Sequence, residues 1–344
     1  MNLLITGGAG FIASNFLPYI LDKYEDIQIV NLDKLTYAGS MDNLKEIKDN
    51  PRHLFIQGDI CDRQLVEKIF REYNIDGVIH FAAESHVDNS IKNPGAFIET
   101  NVMGTFTLLE VARNYWMSGP KKYKPEFQDA RFHHISTDEV FGALGNEGYF
   151  TEETPYAPNS PYSASKASSD QIVRSYFHTY GMNVVTTNCS NNFGPKQHEE
   201  KLIPTIIRKA LSVEPIPIYG TGKNIRDWLY VLDHCKAIGK VFFEGRAGET
   251  YLIGGHSEKT NLDMALSICE ILDEEKSQLL IQNGLKSFKD LITFVNDRPG
   301  HDFRYAVNDS KLREEFNIPI DSGFRDNLKQ TIRYYCELFD RSAK

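Results

Sequence analysis

The chain has 344 residues, 41% hydrophobic and 25% charged, which is ordinary for a globular protein and long enough for a sizeable core. A formal net charge of −9 excludes a general nucleic-acid binder, because no basic excess is available to meet phosphates. Cys61, Cys189, Cys235, Cys269 and Cys336 are scattered without metal-ligand spacing, and no apolar run is long enough to span a bilayer, so the chain is expected to carry reduced thiols in the cytoplasm, with no metal and no membrane contact.

The first predicted element is the short apolar run "NLLITG", which has no basic lead and so is not expected to be a signal peptide. A Gly-rich turn follows, and then "FIASNFLPYILDKY", with helical spacing at Phe11, Ile12, Phe16, Ile20 and Leu21. "IQIVNLD", "HLFIQGD" and "GVIHFAA" are further short apolar runs ending in polar or small residues. "LVEKIFREY" and "FIETNVMGTFTLLEVARNY" fill the gaps as helices, and "FHHIST" and "NVVTTNCS" add two strands. This alternation predicts an α/β fold, a doubly wound parallel sheet with ligands at the carboxyl ends of its strands. After about residue 195, "EPIPIYGTG", "GGHSEKT" and "NDRPGHD" read as loops and short elements of a smaller, mixed, substrate-binding lobe. The expected division is 1–190 for a dinucleotide-binding (Rossmann) domain with the catalytic residues and 191–344 mainly for the second lobe, with some chain crossing back.

Gly7, Gly10 and Ala13 form a G-x-x-G-x-x-A turn between the first strand and the first helix, where glycine lets backbone N–H groups approach a pyrophosphate. Asp33 ends the second strand 20 residues beyond Ala13, where its carboxylate suits a ribose diol and repels a 2′-phosphate, favouring NAD over NADP. Lys34, next door, pulls against that preference. Asp59 ends the third strand and is open to two readings, adenine contact or cap of the following helix. Phe11, Ile12, Ile60, Ala82 and Ala83 complete the expected cofactor contacts.

"PYSASKASSD" places Tyr162 and Lys166 at i and i+4 on one helix face. A phenol is a poor base at neutral pH, and a nearby ammonium is expected to favour its phenolate. "HISTDEVFG", 134–142, sets Asp138 and Glu139 directly after Thr137. A simple hydride transfer needs no acid pair; removal of water does. Capping or surface acids are the alternative.

The stretches "GGAGFIAS", "LDKLTYAGSMDNL", "FAAESHVDNSI", "STDEVFG", "SPYSASKASSD", "NCSNNFGP", "EKLIP", "IRDWLYVLDH" and "NDRPGHDFRYA" together resemble the extended short-chain dehydrogenase/reductases, and among them the dTDP-glucose 4,6-dehydratase family, over essentially the whole chain. The resemblance implies transient oxidation at carbon 4 of a hexose by NAD, loss of water across carbons 5 and 6, and hydride return to carbon 6. It implies Glu139 as base, Asp138 as acid, and Thr137 bonding the carbon-4 oxygen beside Tyr162, with Lys166 alongside. For the nucleotide sugar, Arg226, Arg298 and His301 suit a diphosphate. Ser85, His86, Asn191, Asn192, Lys201, Leu202, Tyr219 and Tyr305 fall in stretches that line nucleotide and sugar in the family. Arg298 pairing with Asp297 or Asp302, and Tyr219 as core, are the alternatives. Ala13, Asn89, His198 and Glu199 depart from the family pattern and leave thymidine against uridine open. Apolar stripes on the helices around 97–117 and 162–180 (Phe97, Val102, Leu108; Ile172, Tyr176) suggest a homodimer, as in the family. A 4-epimerase and a non-catalytic dinucleotide binder are the competing readings.

Overall fold

Seven short runs, most of them rich in Val, Ile and Leu, form one parallel sheet: β1 (Asn2–Thr6), β2 (Gln28–Asp33), β3 (His53–Gln57), β4 (Gly77–His80), β5 (Arg131–Thr137), β6 (Val184–Cys189) and β7 (Thr250–Ile253). The structure, a computed structural model, describes residues 1–297, 299–318 and 323–342. The strand order is β3-β2-β1-β4-β5-β6-β7, so the chain reverses direction between β1 and β4. Register is set by apolar rows such as Leu4 opposite both Val30 and Val78. Strands buried on both faces need apolar residues on both, which is why these runs do not alternate.

The main helices are α1 (Phe11–Lys23), α2 (Arg63–Tyr73), α3 (Thr105–Trp116), α4 (Pro161–Tyr180), α5 (Leu202–Leu211), α6 (Val231–Glu244), α7 (Asn261–Glu275) and α8 (Phe324–Ser342). One sheet face is covered by α2, α3 and α4 through Ile69, Phe70, Leu109, Trp116 and Val173. The other is covered by α1 and α6 through Phe16, Leu17, Ile20, Ile238 and Phe242. Each such side chain contributes roughly 1.5–3 kcal/mol on burial. The Trp116 indole N–H donates to Ile75 O at 2.7 Å, so its one polar atom costs nothing inside.

Local rules fix the start of α4. Ser160 and Ser163 form a reciprocal capping box, and Pro161 stands at the first helical position. Tyr162 therefore falls in the first turn, and the helix ends at Gly181 with φ +67°.

The structure corrects three expectations. The helix expected around 97–117 is broken: Pro94–Phe97 is a short turn, Ile98–Gly104 is π-helical, and α3 begins only at Thr105. Asn101, buried in the π turn, exchanges hydrogen bonds with the Glu84 backbone and donates to Ser165 Oγ. Of the apolar stripe expected to meet a second copy, Phe97, Leu108 and Tyr176 are core, at 1%, 0% and 5% exposure, while Val102 and Ile172 are half-buried. And the chain beyond 195 is not mostly loop. Its helices α5, α7 and α8 pack Ile203, Ile206, Ile268, Leu272, Leu328 and Ile332 into a core of their own. Two small sheets accompany them, Glu258–Thr260 with Ile225–Tyr230 and Asn191–Phe193, and Ile216–Tyr219 with Ile292–Val295. Between these pieces the chain returns to the large sheet as α6 and β7.

Candidate active site

Every cofactor candidate and all five catalytic candidates line one cleft at the carboxyl ends of the strands. Its floor is the turn after β1. Gly7 has φ +73°, and a Cβ there would lie 2.7 Å from the Ala82 backbone, so only glycine fits. Gly10 caps α1 without a side chain, leaving the positive end of that helix open to an anion. Asp33 is buried; its Oδ2 accepts from Ala9 N (2.9 Å) and its Oδ1 from Leu35 N (2.7 Å). Each oxygen keeps a lone pair for a ribose hydroxyl. Burial pushes the Asp33 carboxyl up, and the two N–H bonds pull against that. Lys34 forms an ion pair with Asp59 at 2.6 Å on the rim of the cleft. Asp59 also accepts from Cys61 N, and the cap of α2 is Asp62, which accepts from Leu65 N at 3.1 Å; the capping reading of Asp59 is thereby corrected. A Cβ-intolerant turn, an open helix N-terminus, a carboxylate at the end of β2 and small residues at Ala82 and Ala83 together fit a dinucleotide.

Thr137 ends β5 and caps the 3-10 turn Asp138–Phe141, its hydroxyl accepting from Glu139 N at 3.3 Å. The side-chain cap is thus the threonine and neither of the two acids that follow. Asp138 is 1% exposed, its Oδ1 accepts from Thr137 Oγ1 at 3.3 Å, and its Oδ2 has no hydrogen-bond partner among the described residues. Burial first, and the Glu139 and Asp227 charges second, raise the Asp138 carboxyl well above the usual range, against a smaller pull from Arg226. The shift is in the direction that favours a protonated carboxyl.

Tyr162 is 9% exposed and packs edge-on against Phe97 at 6.3 Å. The expected lowering of its phenol also depends on the positive nicotinamide ring; in the protein alone, burial and the Glu139 carboxylate hold that phenol well above its ordinary value. Lys166, 4% exposed, donates from Nζ to Ile135 O at 2.8 Å. Burial lowers its pKa, and Asp170 opposes that.

The substrate candidates divide. Ser85, Asn191, Asn192 and Lys201 line the cleft, and Lys201 Nζ donates to Ser85 O at 3.2 Å, tying the two rims together. His86 stands 3.7 Å from Glu200, which lines the cleft, while Leu202 opens α5 behind it. Arg226 donates to the Ile225, Phe303 and Asp302 carbonyls and lies over the Tyr305 ring at 4.4 Å. The Tyr305 hydroxyl donates to Asp302 at 2.6 Å. This pair borders the acids: after burial, the Glu139 charge is the next cause raising the Tyr305 phenol. His301 bonds Asp297 at 2.6 Å, and Tyr219 is 41% exposed, so the reading of Tyr219 as core is wrong. Neither lines the cleft. Arg298 lies outside the described residues.

A family model described as GDP-mannose 4,6 dehydratase matches residues 4–331. A dTDP-glucose 4,6-dehydratase of Neisseria gonorrhoeae is 52% identical over 338 residues, covering 98% of this chain and 96% of that protein. The chain belongs to the dTDP-glucose 4,6-dehydratase family. Among solved structures, a member of the family from Bacillus anthracis in complex with NAD superposes with a TM-score of 0.83 at 43% identity, over 98% of this chain and 97% of that one. DesIV of Streptomyces venezuelae, a dTDP-glucose 4,6-dehydratase with NAD and TYD bound, gives 0.85 at 42% identity with the same coverage.

For this member of the dehydratase family, sequence reasoning passed over several residues that line the cleft, among them Thr100, Cys189 and Glu200. Glu200 had a visible signal, an acid directly before Lys201 in "EEKLIP". In the structure it sits 3.7 Å from His86 and 3.6 Å from His198. Thr100 had none, because its position depends on the π turn.

Proposed function

We propose that this protein is an NAD-dependent hydro-lyase that converts dTDP-glucose to dTDP-4-keto-6-deoxyglucose. One observation carries the proposal: a buried carboxyl, Asp138, its pKa raised by burial and by the acid beside it, shares one cleft with Glu139, Tyr162, Lys166 and the dinucleotide turn. An epimerase of the same fold has no use for such an acid.

The nicotinamide cofactor, when bound by the Gly7–Gly10 turn, Asp33 and the Ala82–Ala83 strand end, takes a hydride from carbon 4 of the hexose and later returns it to carbon 6. Tyr162, as the phenolate, accepts the proton of the carbon-4 hydroxyl. Burial in the cleft disfavours that form, and the positive charges of Lys166 and of the oxidised cofactor, when bound, would favour it. Thr137 bonds the carbon-4 oxygen. The new ketone acidifies carbon 5; Glu139 removes that proton while Asp138 gives its own to the carbon-6 hydroxyl, which leaves as water. Glu139 then returns its proton to carbon 5, and the proton gained by Tyr162 balances the one Asp138 gave. The net change is loss of one water with no change in oxidation level.

The division of labour proposed is residues 1–190 for cofactor and catalysis and 191–344 mainly for the nucleotide sugar, with Arg226, Arg298, His301 and Tyr305 on the nucleotide side. Five free thiols agree with a cytoplasmic setting, and no helix among the described residues is long and apolar enough to cross a membrane. A homodimer is proposed through Ile98, Met103 and Phe106, exposed at 49%, 49% and 38% on the π turn and the start of α3. Light scattering on the purified protein at micromolar concentration checks it.

Incubation with dTDP-glucose and, separately, UDP-glucose, followed by mass spectrometry, tests the activity. Loss of one water from the dTDP sugar is expected. An unchanged mass with inverted carbon 4 would make the protein an epimerase, and an untouched substrate a binder.

A further inference from the structure

One turn beyond Lys166, α4 carries Asp170, a carboxylate 3% exposed that the mechanism above does not use. Tyr162, Lys166 and Asp170 follow one another at i, i+4 and i+8, so all three lie on one face of the helix. Asp170 Oδ2 accepts three hydrogen bonds, from Ser136 Oγ (2.9 Å), Tyr156 OH (3.0 Å) and Asn188 Nδ2 (3.0 Å). Its Oδ1 lies 3.1 Å from His134 Nε2. Burial draws His134 down to about 4. Burial raises the Asp170 carboxyl, but the His134 contact, then the Lys166 charge and the Ser136 hydrogen bond outweigh it and hold that carboxyl below its ordinary range.

The donors come from separate parts of the chain. Ser136 sits at the end of β5, directly before Thr137 and two residues before Asp138. Asn188 sits on β6, and its amide also donates to Thr137 O at 3.0 Å. Tyr156 belongs to the segment leading into α4. One carboxylate therefore joins the helix that bears the phenol and ammonium to the strand end that bears the threonine and the two acids. Stability alone is a weak reason for such a group, since buried ionic clusters replaced by apolar residues of like volume are often no less stable.

We infer that Asp170 is a positioning residue, which sets the register between the hydride-transfer pair on α4 and the acid pair at the end of β5 through Ser136 and Asn188. The inference rests on the dehydratase reading and predicts a separation of the two half-reactions. Asn188→Ala cuts only the arm that reaches the Thr137 carbonyl, leaving Asp170 beside Lys166. It is expected to lower kcat about 10-fold with KM for dTDP-glucose within about threefold, and to let reduced nicotinamide build up during turnover, because carbon-4 oxidation continues while water loss slows. Asp170→Asn removes the hub, and both half-reactions are expected to slow, with kcat about 10²-fold lower, the scale of a displacement of about 1 Å at a reacting centre.

The assay follows reduced-cofactor absorbance and product together in the full chain loaded with NAD. Wild-type kcat in Asn188→Ala or in Asp170→Asn overturns the inference. So does an Asn188→Ala variant in which reduced cofactor appears as slowly as product, the signature of a scaffold residue that merely lowers the amount of active enzyme. If Asn188→Ala does not fold, the Asp170→Asn rate decides. A wild-type control that releases no water from dTDP-glucose brings down the functional reading itself; a working control with unaltered variants counts against Asp170 alone.

Discussion

At the scale of single residues, the burial of Asp138 sets its chemistry. A carboxyl at the surface loses its proton near pH 4 and has none to give at neutrality; burial beside a second acid raises Asp138 well above that range, the direction a general acid needs. Asp138→Asn should still oxidise carbon 4 but release water about 10²-fold more slowly, as expected for loss of a positioned general acid. Rapid quenching with separate assay of reduced cofactor and product checks this, and an unchanged rate of water loss would remove Asp138 from the acid role. Tyr162→Phe should act earlier, slowing the first appearance of reduced cofactor by about 10² or more. The nearness of the two acids was legible in "STDEVFG", where the carboxyls are adjacent. The depth at which Asp138 sits was not, because 1% exposure is a property of the assembled cleft. The phenol shows the same limit. The i, i+4 spacing of Tyr162 and Lys166 was readable, while the upward push of burial and of Glu139 on the phenol needed the packing of the assembled cleft.

At the scale of elements, the turn between β1 and α1 behaves as its glycines require. Gly7→Ala places a side chain at φ +73° and 2.7 Å from the Ala82 backbone. The strain alone is about 1–3 kcal/mol, and relief by moving β4 would narrow the cleft. The expected outcome is a lower denaturant midpoint and purified protein with less bound NAD, measured by unfolding curves and by cofactor content. This motif could be read directly because everything it needs lies within a few residues. The break at Ile98–Gly104 could not, because the π turn is held by Asn101 bonding to Glu84 and Ser165, partners 17 and 64 residues away. Helices α5, α7 and α8 were hidden for a different reason. Gly- and Pro-rich connections stood out in that half, and the apolar periods between them were not weighed.

For the whole molecule, buried histidines govern stability in mild acid. Burial lowers His134 to about 4 and His234 to about 3, and it takes His80 and His133 well below 6.5. A folded pKa below the unfolded one means that the unfolded chain binds more protons between the two values. Stability therefore falls as pH drops through about 6.5, by up to about 1.4 kcal/mol per pH unit for each such histidine. His256 works in the opposite sense. Its hydrogen bond to Asp309 raises its pKa, so its contribution is present below 6.5 and is lost as pH rises through the raised value. Urea midpoints at about pH 7 and about pH 5 should show a net loss of stability on acidification, before most carboxylates titrate. The parallel sheet and its site at the strand ends were evident from the alternation of strands and helices in the first half of the chain. The seventh strand was not, since "TYLI" is too short to be assigned to a sheet without its neighbour β6.

That late strand bears on how the molecule is made. A ribosome that has released the first 190 residues has produced a sheet whose outer strand, β6, offers a bare row of amides, and the covering strand arrives only with Thr250–Ile253. For some sixty codons the nascent chain exposes a template for wrong pairing with other chains. Slow synthesis or truncation in that interval should send the polypeptide toward inclusion bodies.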